Sequence, residues 1–155
     1  MRHRGRIREG AAMNQPIQDL LKITSGEFSH KANTYSPLAL AYIGDGVYEI
    51  FIRTYVMNKG NRSVNKMHKA SRELVRASSQ SKMYHLIEEL LTEEEQAVLR
   101  RGRNAKSNSI PKNGDMTEYR HATGLEALIG YLYVDGKVDR IKELIDTGLD
   151  KLGVV

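Results

Sequence analysis

Apolar positions recur along the chain at spacings of three and four residues, and no run alternates apolar with polar β-branched residues. That periodicity predicts helices and no sheet. Gln15 to Ile23, with Ile17, Leu20 and Leu21 on one face, predicts a short first helix. Residues 24–35 carry Ser, Gly, Asn and Thr with little periodicity and read as a connection. Ser36-Pro37 is a start signal, an N-cap followed by proline at the first helical position. The helix it opens runs to about Met57 and is apolar on nearly every side, the pattern of a central buried helix. Lys59-Gly60-Asn61 ends it. A longer helix is predicted from about Ser63 to Leu91, interrupted near Ser78–Ser81. Thr92-Glu93-Glu94-Glu95 reads as a capping box opening a helix toward Arg101. Residues 102–117 read as one long loop, and Glu118 to Val134 as a mostly apolar helix. Asp135-Gly136-Lys137 turns the chain into a last helix, Val138 to Leu152, whose apolar face is Val138, Ile141, Leu144, Ile145 and Leu149. The pattern predicts a single all-α domain over 13–155, with residues 1–12 as a disordered or appended leader.

Composition narrows the chemistry. The 155 residues fit one domain, and 40% hydrophobic with 28% charged residues argues against a disordered chain. The absence of cysteine removes disulfides, thiolate zinc sites, iron–sulfur clusters and cysteine nucleophiles, and it fits a reducing cytoplasm. No segment reaches the roughly 18 uninterrupted apolar residues of a membrane span, since Asp45 and Glu49 interrupt the best stretch, Leu38 to Ile52. Arg2, Arg4, Arg6 and Arg8 are followed by no apolar h-region, so no signal peptide is expected. The expectation is a soluble, cytoplasmic protein.

The informative residues are the acids in the two most apolar helices. Asp45 lies between Gly44 and Gly46, and Glu126 lies between Gly124 and Gly130. An ionised carboxylate in such surroundings needs a paired cation, a metal or a solvent cleft. Each glycine costs a helix interior about 1 kcal/mol relative to alanine, so glycine there predicts close approach of another backbone or a ligand. Two carboxylates brought together make a hard oxygen site suited to Mg²⁺ or Mn²⁺.

Tyr42-Ile-Gly-Asp-Gly-Val47 resembles the signature helix of the ribonuclease III family, and Glu126-Ala-Leu-Ile-Gly130 is similar to its second acidic helix. Glu73-Leu74-Val75 falls between them in the expected order, so the resemblance spans about residues 35–150. With no double-stranded-RNA-binding domain after it, the chain resembles the stand-alone catalytic branch, the Mini-ribonuclease III proteins. The resemblance implies a Mg²⁺-dependent endonuclease of double-stranded RNA, Mn²⁺ being a possible substitute. It implies a homodimer with two active sites, 5′-phosphate and 3′-hydroxyl products, and a role in maturing large-subunit (23S) ribosomal RNA. Catalytic and metal-binding roles fall on Asp45 and Glu126. Longer family members also carry acids at the positions of Leu38, Ala41 and Thr123, which implies a lean metal site here, completed by water, Thr123 or Glu49. The glycine-flanked helix of Asp45 is expected in the dimer contact, because close helix approach wants small residues.

Two basic elements are expected to hold the RNA. Arg62, Lys66, Lys69, Arg72 and Arg76 recur at helical spacing and form one stripe. Arg100, Arg101, Arg103, Lys106 and Lys112 lie in a stretch without acids, interspersed with Asn and Ser. Fixed cations with short polar donors suit the phosphates and ribose hydroxyls by which duplex RNA is mainly read. Tyr119, Arg120 and His121 are further phosphate candidates, with His121 a weaker one for general base. Two other readings compete. Glu27-x-x-His30 and Glu118-x-x-His121 match the spacing of di-iron bundles, and the same fold could serve as a non-catalytic RNA-binding module. A histidine–aspartate phosphohydrolase is excluded, because no His-Asp dipeptide occurs.

Overall fold

The computed structural model describes residues 28–106 and 115–153. The predicted helix over Gln15 to Ile23, the leader, Glu27 and Lys112 lie outside them. Among the described residues six helices follow a short 3₁₀ turn, Ala32–Thr34: α1 (Pro37–Asn58), α2 (Val64–Val75), α3 (Ala77–Glu88), α4 (Glu93–Asn104), α5 (Met116–Val134) and α6 (Val138–Leu152). There is no strand among the described residues, as the periodicity predicts. None of the described helices is long and apolar enough to cross a membrane.

The helix starts follow their caps. Ser36 accepts from the Ala39 amide at 3.2 Å ahead of Pro37, and Ser63 caps α2 through the Lys66 amide at 3.3 Å. Thr92 and Glu95 close the expected capping box on α4. Asp115 accepts from Thr117 at 2.8 Å and starts α5 two residues earlier than expected. Gly136 and Gly153, at φ 75° and 69°, turn the chain out of α5 and α6.

Two expectations about boundaries are corrected. The break in the second helix falls at Arg76, whose extended backbone (φ −65°, ψ 155°) separates α2 from α3, and not at Ser78–Ser81. A straight helix could not send Leu74 toward α1 and Met83, Tyr84 and Ile87 under α5 and α6, and burial of those side chains decides. The long loop is also shorter than predicted. Helix α4 continues to Asn104, because Val98, Leu99 and Gly102 are buried against α5.

Helix α5 is the centre of the molecule, packed against α1, α3, α4 and α6. Every residue from Ala122 to Tyr133 is buried except Glu126. The helices that flank it come unusually near. A Cβ on Gly44 would stand 1.7 Å from the Glu126 carbonyl oxygen, and one on Gly130 would stand 1.8 Å from that of Leu40. On the other side of α5, a Cβ on Gly102 would meet Ala127 at 2.6 Å, and one on Gly124 the Leu99 carbonyl oxygen at 2.8 Å. Glycine is therefore what permits α1 and α4 to lie against α5 backbone to backbone. A partly buried ion pair ties the periphery together: Arg140 on α6 holds both oxygens of buried Glu95, at 2.8 and 2.9 Å, and the Leu90 carbonyl at 2.9 Å.

Candidate active site

The contact of Gly44 with the Glu126 backbone fixes what lies beside it. Asp45, the next residue on α1, is brought against the Glu126 side chain of α5, and the two carboxyl groups are hydrogen-bonded. Asp45 is exposed and Glu126 half-buried, so the pair reaches solvent. Burial and the neighbouring charge of Asp45 push the Glu126 carboxyl up to about 8, and its proton is donated to Asp45. A Glu126 carboxyl that keeps its proton near neutral pH beside a second carboxyl group marks a place where a bound cation would be favoured.

Tyr48, one turn after Asp45, is buried behind the pair and donates to the Leu74 carbonyl at 3.5 Å. Its hydroxyl is raised by burial and then by the charge of Glu126.

The expected supplements to the pair are engaged elsewhere. Thr123 is buried and donates to the Tyr119 carbonyl at 3.0 Å, while Glu49 pairs with Arg53 at 2.9 Å. Ala41 is buried and Leu38 is partly exposed. A Cβ on Gly46 would meet nothing within 4 Å, so the close approach expected at both flanking glycines holds at Gly44 alone. Among the described residues no three His, Cys, Asp or Glu side chains cluster as a metal site.

The predicted basic stripe divides. Lys66, Lys69 and Arg72 stay exposed on α2, whereas Arg62 precedes the helix and Arg76 sits in the break after it. Arg62 and Arg76 turn to a cavity shared with Lys59 and Lys82. In the second element Arg100 and Arg101 are exposed on α4, and Lys106 is exposed beyond it. Arg103 is half-buried and donates to the Tyr84 hydroxyl at 3.3 Å.

His121 also faces inward. Its Nδ1 lies 2.9 Å from the Ser81 hydroxyl, and its ring packs 4.5 Å from those of Tyr84 and His85. Burial, then His85 and Arg103, lower its proton affinity. None of these partners is Asp45 or Glu126, so His121 is not placed as their general base. Sequence reasoning missed Ser81 and His85, for which only the fold supplies the signal.

The family model described as the Ribonuclease III domain matches residues 38–137, which include both acids and the helices that carry them. The chain belongs to the ribonuclease III family. It is an endoribonuclease of the ribonuclease III type. It is 50% identical to the Mini-ribonuclease 3 of Clostridium tetani over 111 residues, 71% of this chain and 74% of that one. The Mini-ribonuclease 3 of Symbiobacterium thermophilum is 44% identical over 76% of this chain and 90% of its own length. Its fold is similar to that in an X-ray crystal structure of a Fusobacterium nucleatum protein, with TM-score 0.71 and 33% identity over 79% of this chain and 98% of that one. The family matched is the ribonuclease III domain and not a di-iron bundle.

Proposed function

We propose that this chain hydrolyses double-stranded RNA with a divalent cation, Mg²⁺ or Mn²⁺, held by Asp45 and Glu126. The single observation that carries the reading is the pairing of these two carboxyls, one of them exposed, in an otherwise apolar helix contact. All-oxygen donors suit a hard cation, and a second positive charge relieves the repulsion that otherwise holds a proton on Glu126. Bound there, such an ion supplies charge to offset what develops on the phosphate in the transition state. Asp45 and Glu126 would hold it, with Glu126 releasing the proton that burial and Asp45 keep on it. The exposed cations Lys66, Lys69, Arg72, Arg100, Arg101 and Lys106 hold the RNA backbone, joined by Arg103 and Lys112, whereas Arg62 and Arg76, expected on the same stripe, face the cavity instead. Backbone contact makes affinity fall steeply with salt. Cleavage leaves 5′-phosphate and 3′-hydroxyl ends.

The working unit is a homodimer, which sets one site against each strand. Leu38, Tyr42, Ile50 and Met57 are exposed at 39%, 85%, 55% and 65%. Their spacing keeps them on one side of α1, where Gly46 leaves open space beside Asp45. An apolar stripe of this size supports a protein contact. The physiological substrate is the precursor of large-subunit (23S) ribosomal RNA, met in the cytoplasm. This part rests on the family resemblance.

The test is incubation of long duplex RNA and its separate strands with the wild type and Asp45→Asn, in Mg²⁺ or in EDTA. The duplex is cut by the wild type in Mg²⁺ alone. Equal cutting by Asp45→Asn, or equal cutting of single strands, overturns the assignment.

A further inference from the structure

A cavity of about 390 Å³ opens where the end of α1, the α2–α3 break and the end of α6 meet. Its walls include four cations, Lys59, Arg62, Arg76 and Lys82, against one carboxylate, Glu73. They come from four separate places in the chain: the C-cap of α1, the turn after it, the α2–α3 break and the second turn of α3. None of the four is in an ion pair among the described residues. Arg62 donates to the Val56 carbonyl at 3.3 Å, and the Lys59 ammonium lies 4.8 Å over the Tyr55 ring. These contacts position the two side chains without neutralising them.

Four cations around one void, with a single acid among them, repel one another unless an anion is present. The same corner is where α3 begins, with Arg76 as its N-cap and no side-chain capping bond, so the positive end of the helix adds to the field. The volume lies within the range of small-ligand sites and exceeds what one phosphate group fills. The rest of the lining is largely apolar and includes Val56 and Leu74, which suits a ligand whose charge is concentrated at one end.

We propose that this cavity binds a free phosphate-rich anion of the nucleoside diphosphate class, apart from the RNA at the carboxylate site. It is a separate site. Val56 follows Asp45 by eleven residues on α1, about 16 Å along the axis. It also stands whether or not the chain cuts RNA, because its chemistry is that of the four cations.

The experiment compares the wild type with the Lys59→Gln/Lys82→Gln double variant. Both side chains are exposed, so the fold is retained, and circular dichroism checks this. Binding of inorganic pyrophosphate and ADP is followed by calorimetry, and binding of a short RNA duplex by anisotropy, all in EDTA at low salt. The expected result is saturable anion binding to the wild type that weakens about tenfold or more in the variant. Weakened pyrophosphate and ADP binding with unchanged duplex affinity assigns the site to a free nucleotide. Weakened duplex affinity, with pyrophosphate competing against the duplex, makes the cavity part of the RNA-binding surface and overturns the proposal of a separate site. If the variant binds all three probes as the wild type does, the proposal is overturned.

Discussion

Replacing Glu126 by glutamine should stabilise the metal-free protein while removing its activity. In the native state the carboxyl is held to about 8 against an ordinary 4.5, by burial and by Asp45. Between those two values the folded chain binds more protons than the unfolded one, so stability is full below pH 4.5 and falls as pH rises through about 8. At pH 7 the wild type is by then disadvantaged by roughly 3 kcal/mol. Water at the exposed Asp45 screens part of this, so the realised difference should be about 1–3 kcal/mol. Glutamine keeps a donor toward Asp45 and carries no charge, so the penalty vanishes. Thermal unfolding of both proteins in EDTA, at pH 4.5 and pH 7.5, reads the effect. Equal stability at the lower pH should give way to a higher Tm for Glu126→Gln, by about 2–4 °C for each kcal/mol. Equal or lower stability of the variant at pH 7.5 refutes the reasoning.

Three further outcomes follow from the packing. Gly44→Ala places a Cβ 1.7 Å from the Glu126 carbonyl oxygen and so forces α1 from α5; it should cost about 3 kcal/mol or more and separate the two acids. An unchanged Tm and cleavage rate would show the contact to be looser than described. Arg140→Met leaves buried Glu95 without its guanidinium and should cost about 2–4 kcal/mol at pH 7 in urea unfolding. Burial raises Glu95, but Arg140 and Thr92 outweigh it and hold its carboxyl below the usual range, so this loss should shrink as pH falls through that range. Tyr42→Glu with Ile50→Glu should leave circular dichroism intact and shift sedimentation from dimer to monomer. A wild type that sediments as a monomer rejects the dimer outright.

The acids and their glycines are legible in the sequence, because Asp45 and Glu126 break otherwise apolar helices and such breaks are costly without a use. The capping box at Thr92 and the Ser36-Pro37 start are legible too, being local hydrogen-bonding devices. Residues whose partners lie far along the chain are not. Nothing near Leu74-Val75-Arg76-Ala77 punctuates the chain, and the break there comes from burying Leu74 and Met83 in different directions. The Glu95–Arg140 pair and the Ser81–His121 contact join residues 45 and 40 positions apart. Periodicity likewise placed Arg62 and Arg76 on one stripe with Lys66, whereas both lie off α2, where the chain turns around the cavity.

Proton release on Mg²⁺ binding tests the central claim most directly. A carboxyl held at about 8 is mostly protonated at pH 7, and it must lose that proton to act as a ligand. Calorimetry in buffers of different ionisation enthalpy should show roughly 0.9 proton released per Mg²⁺ bound at pH 7, with weaker binding and almost no release in Glu126→Gln. Wild-type affinity in that variant, or binding without proton release in the wild type, would contradict the assignment of Asp45 and Glu126 as one metal-binding pair.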